Sequence, residues 1–217
     1  MTTIRTAVFI FLLTIPATGQ LPVERHVRGQ TITSDSLPRA TITFDRAFRY
    51  AGGQRFILYG VAEAEQHFFV DAGANHYVRR FYWVQFERYL PGNNEHYRYV
   101  PTHVNQIGGL DFIIDTRIYT DYNALQPSPD SDSAKARALL SSKGFRLPRT
   151  AIRARLIHLP DPDNRSELMI IYMEALPASG LPPDAKNELA ADDRFPGLAA
   201  FVTGNARRGL KISGLMR

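Results

Sequence analysis

The chain of 217 residues contains no cysteine. This absence excludes a disulfide scaffold, a zinc or iron–sulfur site with cysteine ligands, a thiol nucleophile and a lipid-modified N-terminal cysteine. The sequence also lacks a Gly-x-Ser-x-Gly elbow, a glycine-rich phosphate loop ending in Lys and Ser or Thr, and a dinucleotide-binding fingerprint. Common esterases, NTPases and Rossmann enzymes are therefore disfavoured.

The charge balance does not identify a partner. The formal net charge is +5, and charged residues make up 22% of a chain that is 44% apolar. Nucleic-acid binding requires a basic groove with interleaved stacking aromatics, and Arg79 and Arg80 beside Phe81 are only a faint version of that pattern. We expect a globular protein with no nucleic-acid partner.

The one long apolar run lies at the N-terminus. Ala7–Ile15 follows Arg5 and precedes Ala17 and Gly19, which are small residues at the two positions that a signal peptidase reads. The pattern predicts a signal peptide over residues 1–19 and export to the periplasm or the extracellular space. The run is shorter than the roughly 20 residues of a membrane-spanning helix, so no membrane span is expected after cleavage.

Residues 20–38 are polar and aperiodic, which predicts a flexible lead-in, and residues 39–217 are predicted to form a single α+β domain. Two-residue alternation and short turns, including Gly52-Gly53, predict antiparallel strands. The predicted strands are 40–50, 55–71, 77–90, 96–104, 110–122, 150–159 and 166–176, with a short helix capped by Ser131 or Ser133 after the fifth.

Pro196 fits the first position of a C-terminal helix, in which Leu198, Phe201, Val202, Ala206 and Leu210 recur at helical spacing. The predicted fold is therefore α+β, with a curved, mainly antiparallel sheet of about seven strands and the C-terminal helix packed on it. Helix-grip, cystatin-like and lipocalin-like domains share this outline, but only as an architectural analogy.

The hairpin from Gly60 to Leu90 carries the candidate site. Pairing its most apolar faces predicts a register that places Glu65 opposite Trp83 and His67 opposite Phe81. The second face of the hairpin would then combine acidic, basic and aromatic side chains. Its members are Glu63, Glu65, His67, Phe69, Asp71, Arg79, Phe81, Trp83, Gln85, Glu87 and Tyr89.

Three interpretations of this face remain open. It is a solvated sheet surface, a ligand pocket, or a catalytic site in which Glu63 or Glu65 and His67 exchange protons with a substrate. Aromatic residues fall on both faces of the strand from Phe81 to Tyr89, so we expect other parts of the chain to pack on both faces of the sheet at this strand. The pocket interpretation names Phe69, Phe81, Trp83, Gln85, Glu87 and Tyr89 as ligand-binding residues.

The leading hypothesis is an exported protein that binds a small, partly apolar ligand between the sheet and a covering helix or loop. The alternatives are an acid–base hydrolase or lyase using Glu63, Glu65 and His67, and a structural or protein-interaction module of the cell envelope. The sequence determines neither enzymatic activity, nor the ligand, nor the oligomeric state.

Metal binding needs a further ligand. Glu65 and His67 share a strand face, and His158 or His103 is the available third ligand. This spacing permits a metal without indicating one, and His158 alternates with apolar residues as core histidines do. We expect neither a metal nor another cofactor.

Overall fold

The structure is a computed structural model that describes residues 21–100, 104–177, 179, 181, 188–191 and 194–213. The predicted signal peptide and His103 lie outside these residues. Among the described residues, no helix is both long enough and apolar enough to cross a membrane.

An eight-stranded antiparallel sheet forms the centre of the fold. Its strands are β4 (Arg49–Leu58), β5 (Ala62–Ala72), β6 (Val78–Tyr89), β7 (Val104–Ile107), β8 (Leu110–Tyr119), β9 (Ala151–His158), β10 (Ser166–Ala175) and β11 (Glu188–Ala190). The order of hydrogen-bonded neighbours is β11-β8-β9-β10-β6-β5-β4, and β7 also pairs with β8. The sheet is open, with β4 at one edge, and the β5–β6 hairpin lies next to that edge.

A second antiparallel sheet contains four strands in the order β1-β2-β3-β12. These are β1 (His26–Arg28), β2 (Thr31–Ser34), β3 (Ala40–Phe44) and β12 (Leu210–Ser213). The described helices are α1 (Asp132–Ser142), α2 (Pro196–Arg208) and a 3-10 turn at Tyr122–Ala124. The predicted α+β class with mainly antiparallel strands is confirmed.

Both faces of the large sheet are covered, and we name each after the helix that lies over it. On the α2 face, the sheet packs against α2 and the four-stranded sheet; on the α1 face, it packs against α1. The α2 face buries Phe69, Tyr82, Val84 and Phe86, together with Ile42 and Phe44 of β3 and Ala199, Val202 and Ala206 of α2. The α1 face buries Phe68, Val70, Phe81 and Trp83, together with Ala136 and Leu140 of α1.

Both helices begin as their sequences predict. The Ser131 hydroxyl accepts a hydrogen bond from the Ala134 N–H at 3.1 Å and so caps α1, and Pro196 occupies the first turn of α2. Phe201 departs from the predicted apolar stripe of α2 and is 47% exposed. The helix instead contacts the sheet through smaller residues, and the Tyr82 hydroxyl donates to the Ala206 carbonyl at 2.7 Å.

Three predicted segments differ from the structure. Residues 26–34, assigned to the lead-in, contain β1 and β2, and the two strands predicted over 40–50 and 55–71 are replaced by three, β3, β4 and β5. Helix α1 therefore follows the eighth described strand rather than the fifth. Gly52-Gly53 does not end a strand but lies within β4, where the pairing shifts between Tyr50 and Gly52 as in a β-bulge. Of the strand predicted over 96–104, residues 96–100 belong to a loop at residues 91–100, residues 101–103 lie outside the described residues, and Val104 begins β7.

Candidate functional site

The β5–β6 pairing divides the predicted site between the two faces of the sheet. Glu65 lies opposite Phe86, so the predicted pairing with Trp83 is wrong. Because neighbouring residues of a strand point to opposite faces, this register separates the candidate residues of β5 from those of β6. Glu63, Glu65, His67 and Phe69 share the α2 face, whereas Phe81, Trp83, Gln85, Glu87 and Tyr89 share the α1 face.

On the α2 face, Glu65 ties the segment before β1 to the large sheet. Its carboxylate accepts the backbone N–H groups of Glu24 at 2.9 Å and Arg25 at 2.8 Å. The Arg25 guanidinium contributes an ion pair at 3.1 Å, and His67 Nε2 lies 2.7 Å away. With the carboxylate only 1% exposed, these four donors satisfy it without solvent.

His67 is fully buried between Glu65 and Tyr50. Because a carboxylate only accepts, Nε2–H donates to Glu65, and a neutral ring then accepts at Nδ1 from the Tyr50 hydroxyl at 3.0 Å. Burial and the Glu65 charge raise the pKa of Tyr50 to about 12, so its hydroxyl keeps the proton that it donates. Tyr50, His67 and Glu65 thus form a continuous hydrogen-bonded chain inside the protein.

The contacts of Glu65 also determine its charge. Burial raises the pKa of its carboxyl, but the hydrogen bonds from His67, Glu24 and Arg25 and the Arg25 charge outweigh burial and lower the pKa to about 2. A carboxylate held ionised by four donors does not release and recover a proton near neutral pH. Glu65 and His67 are both part of this tether.

Glu63, the third predicted catalytic residue, is paired with arginines. Its carboxylate accepts the Arg55 Nε–H at 2.6 Å, and Arg88 lies 4.0 Å away. Glu63 and Glu65 line a pocket of about 760 Å³ between the large sheet and residues 35–39, together with Arg25. Carboxylates and arginines both line this pocket, and Glu87 and His158 line it as well.

On the α1 face, a chain of polar side chains runs across the sheet. Gln54 donates to Gln66 at 2.7 Å, Gln66 donates to Gln85 at 2.9 Å, and Gln85 donates to Glu87 at 2.6 Å. The Tyr97 hydroxyl, from the loop at residues 91–100, donates to the second oxygen of Glu87 at 2.6 Å. Gln85 and Glu87 therefore hold a loop in place, and no described pocket opens onto Gln85.

Glu87 faces a second carboxylate that sequence reasoning missed. Glu167 of β10 lies directly opposite Glu87, is 3% exposed, and accepts a hydrogen bond from the Tyr99 hydroxyl. Burial, reinforced by the Glu87 charge, raises the pKa of Glu167 to about 7, despite the Tyr99 hydrogen bond and the Arg155 charge. Burial also raises the pKa of Glu87. The only sequence signal was one acidic residue at the start of a long apolar strand.

Trp83, the only tryptophan of the chain, lines a pocket of about 310 Å³ on the α1 face, which we call the Trp83 pocket. The strands contribute Trp83, Tyr119, Arg153, Ile171 and Met173, and the segments over them contribute Tyr122, Leu125, Gln126, Pro127, Ser133 and Arg137. The pocket therefore lies between the sheet on one side and α1 with its preceding loop on the other.

Three residues that line the Trp83 pocket carry unsatisfied donors. The buried Nε1 of Trp83, Nε of Arg137 and Nε of Arg153 have no hydrogen-bond partner in the part of the chain that the structure describes. A buried donor without an acceptor costs about 1–3 kcal/mol, and native proteins contain few such groups. Their concentration around one pocket is therefore a functional signal.

The two arginines are held in place by other contacts. Arg137 donates to the backbone carbonyls of Leu125 at 3.1 Å and Tyr122 at 2.6 Å, and Arg153 forms an ion pair with Asp115 at 2.8 Å. None of the described residues that line the pocket is acidic. The sequence alone gave no signal for Arg137, which α1 brings to the pocket from a distant segment of the chain.

The other predicted ligand-binding residues lie elsewhere. Phe69 and Phe81 are 0% and 2% exposed and belong to the cores of opposite faces. Tyr89 stacks on Tyr97 with ring centroids 4.7 Å apart, at the base of the loop at residues 91–100. Of the predicted set, Trp83 alone lines the pocket between the sheet and α1.

The described residues contain no group of three or more His, Asp or Glu side chains that could hold a metal ion. His158 Nδ1 lies 3.0 Å from the Asp111 carbonyl oxygen, and burial lowers the pKa of its ring. His67 is occupied on both ring nitrogens by Tyr50 and Glu65.

The chain matches no protein-family model, no curated protein and no solved structure. Its own residues therefore carry the functional argument.

Proposed function

We propose that the protein binds a small, partly apolar molecule in the Trp83 pocket, through a hydrogen-bond acceptor on that molecule. One observation carries this proposal: Trp83, Arg137 and Arg153 line the same pocket, and each has a buried N–H donor without an acceptor among the described residues. A ligand acceptor reaching these donors would remove a cost of about 1–3 kcal/mol for each group it satisfies.

The size and walls of the pocket support a small ligand with an apolar body. Its volume of about 310 Å³ is at the lower end of the range for small-molecule sites. Tyr119 and Tyr122 pack edge to face with ring centroids 5.1 Å apart, and Met173 adds an apolar wall. Rings and methionine sulfur accommodate flat or flexible apolar groups.

The charges favour a carboxylate as the acceptor. Arg137 donates two hydrogen bonds to neutral backbone carbonyls, and among the described contacts its guanidinium has no acidic partner. Arg153 shares the carboxylate of Asp115 with Arg155. Guanidinium groups recognise carboxylates through paired, charge-assisted hydrogen bonds. The proposed ligand class is therefore a small aromatic or aliphatic carboxylic acid.

Titration with benzoate tests this proposal, with benzyl alcohol as the neutral analogue of the same ring. Trp83 is the only tryptophan, so ligand binding should change the intrinsic tryptophan fluorescence directly. We expect saturable binding of benzoate and at least about tenfold weaker binding of benzyl alcohol, which corresponds to about 1.4 kcal/mol. Arg153→Gln should weaken benzoate binding to a similar extent, because it removes a charged donor from the pocket. The variant should still fold, because Arg155 continues to pair with Asp115.

Two further variants separate a ligand contact from a general effect. Trp83→Phe keeps an aromatic ring but removes the Nε1 donor, and calorimetry should show weaker benzoate binding. Arg98→Gln removes an exposed positive charge outside the lining of this pocket and should leave affinity unchanged. No saturable binding of benzoate, or equal losses in Arg153→Gln and Arg98→Gln, would contradict the proposal.

We also propose that the chain is exported, on the basis of the apolar run at Ala7–Ile15 and the small residues Ala17 and Gly19. Expression in a bacterial host, cell fractionation and intact-mass measurement test this. The expected product is a periplasmic or secreted chain that begins at Gln20. A cytoplasmic chain that keeps Ala7–Ile15 would contradict it.

A further inference from the structure

A cleft rich in arginine lies at the end of the large sheet away from Glu63. It has a volume of about 900 Å³ and is lined by the turn between β3 and β4, the end of β5 and the start of β6. Arg46, Arg49, Arg79 and Arg80 line it, and Asp71 is the one acidic residue among its described lining residues. The four arginines and Asp71 give the lining an excess of three positive charges, and we call this site the arginine cleft.

Asp71 fixes two of these arginines side by side. One carboxylate oxygen accepts Nε of Arg79 at 3.1 Å and also its Nη2, and the other accepts Nε and Nη2 of Arg80 at 2.9 and 2.7 Å. Because a guanidinium has five N–H donors, Asp71 occupies only some of those on each arginine. Arg80 is further positioned over the Phe48 ring, 5.1 Å from its centroid. Holding arginines in place in this way lowers the entropy cost of binding a ligand.

Arg46 and Arg49 are different, because both are exposed and neither has a side-chain partner among the described residues. The nearest acidic residue in the turn, Asp45, uses its carboxylate to accept the Ala47 N–H at 2.9 Å. The cleft therefore combines two arginines fixed by Asp71 with two exposed ones, Arg46 in the turn between β3 and β4 and Arg49 at the start of β4.

We propose that the arginine cleft binds an anion that carries two or more phosphate groups. An excess of three positive charges exceeds what a single carboxylate neutralises and matches a pyrophosphate-type anion. Planar guanidinium groups bind phosphate oxygens in pairs, and a volume of about 900 Å³ accommodates more than one phosphate. This site is distinct from the Trp83 pocket, with which it shares no lining residue.

Calorimetry of the full chain with inorganic pyrophosphate tests this inference, and Arg46→Ala/Arg49→Ala is the main variant. Neither arginine has a described contact to lose, so the variant should fold as the wild type does. The matched control is Arg28→Ala/Arg98→Ala, which removes the same charge from exposed positions outside the cleft. We expect the main variant to lose at least about tenfold in affinity and the control to change less than about twofold.

Equal losses in the two variants would show that net charge alone is responsible and would overturn the inference, as would the absence of pyrophosphate binding to the wild type. A second arm compares sedimentation with phosphatidylglycerol and phosphatidylcholine vesicles. Retention on phosphatidylglycerol that is lost in Arg46→Ala/Arg49→Ala, without pyrophosphate binding to the wild type, would overturn the inference in favour of a lipid headgroup with a single phosphate. Equal retention of both double variants on phosphatidylglycerol vesicles would show that lipid binding does not depend on the arginine cleft.

Discussion

At Gly53, the absence of a side chain makes room for a hydrogen bond between two other residues. A Cβ at this position would lie 2.7 Å from Nδ1 of His67, 2.7 Å from the Tyr50 hydroxyl oxygen and 2.8 Å from the backbone oxygen of Gln66. The tether from Tyr50 through His67 to Glu65 therefore depends on a glycine in β4. The sequence alone pointed to a turn at this glycine, because its packing role depends on strands that are distant in the chain.

Replacing Gly53 with alanine should destabilise the protein. The backbone oxygen of Gln66 cannot move without disturbing the β4–β5 pairing, so we expect a loss of about 1–3 kcal/mol in the free energy of unfolding. Urea denaturation at neutral pH measures this loss.

The matched control is Gly197→Ala in the first turn of α2, where a Cβ would meet no atom within 4 Å. We expect this variant to be unchanged or up to about 1 kcal/mol more stable, because alanine reduces the entropy of the unfolded chain. A Gly53→Ala protein as stable as the wild type would show that the contacts around His67 are looser than described.

At the scale of elements, strand alternation was predicted better than strand pairing. Ile42 and Phe44 of β3 are buried and the intervening Thr43 is half-buried, as alternation indicates. The β5–β6 register was mispredicted because it was derived by pairing the more apolar faces of both strands. That rule requires one face of the sheet to be exposed to solvent. Here both faces are buried, so hydrophobicity does not select a register. The observed register instead aligns Gln66 with Gln85.

The same limit applies to the Trp83 pocket. The sequence predicted that Trp83 is covered, because an aromatic residue on a mixed strand face requires packing partners, and Trp83 is buried in the cluster that includes α1. It did not indicate Arg137 or Tyr122, because the loop and helix that carry them approach the sheet only in the folded chain. Local pattern identifies a residue that needs a partner but not the distant segment that supplies it.

The loop at residues 91–100 is held on the sheet by Tyr97 and Tyr99, whose carboxylate partners make its attachment sensitive to pH. The pKa of Glu167 is raised to about 7, from an ordinary value of 4.5 in the unfolded chain. The folded state therefore keeps a proton that the unfolded state loses between these pH values. The contribution of Glu167 to the free energy of unfolding is complete below pH 4.5. It decreases as the pH rises from 4.5 through 7, by roughly 3 kcal/mol in total.

Glu167→Gln should remove this dependence, because glutamine still accepts the Tyr99 hydrogen bond but carries no charge. Urea denaturation between pH 4.5 and 8 should show the wild type losing stability and the variant losing less. Glu95→Gln, which neutralises an exposed carboxylate in the same loop, should behave as the wild type does. An identical decline in Glu167→Gln would show that another group is responsible.

At the scale of the whole molecule, the large sheet separates two polar networks in which the pKa of a buried glutamate is shifted in opposite directions. On the α2 face, Glu65 has its pKa lowered to about 2. On the α1 face, Glu167 has its pKa raised to about 7. An apolar cluster lies on each face of the sheet. In the described contacts, Glu65 and Glu167 share no hydrogen-bond partner.

This separation predicts that the two carboxylates act on stability in different pH windows and independently. Glu65 is ionised in the folded state, so its contribution is complete above pH 4.5 and is lost as the pH falls through 2, by roughly 3 kcal/mol. The loss from Glu65→Gln should therefore be largest above pH 4.5. Glu167→Gln should gain stability relative to the wild type as the pH rises from 4.5, and the gain should be complete above 7.

Stability differences between each variant and the wild type are the appropriate measurement, because His158, whose pKa burial lowers, works against Glu167 in the wild-type curve itself. At each pH, the double variant Glu65→Gln/Glu167→Gln should show the sum of the two single differences within about 0.5 kcal/mol, as distant sites without shared partners do. A larger deviation would mean that the two faces communicate through the β5–β6 hairpin. The tether of the N-terminal segment and the attachment of the loop at residues 91–100 would then respond to pH as one unit.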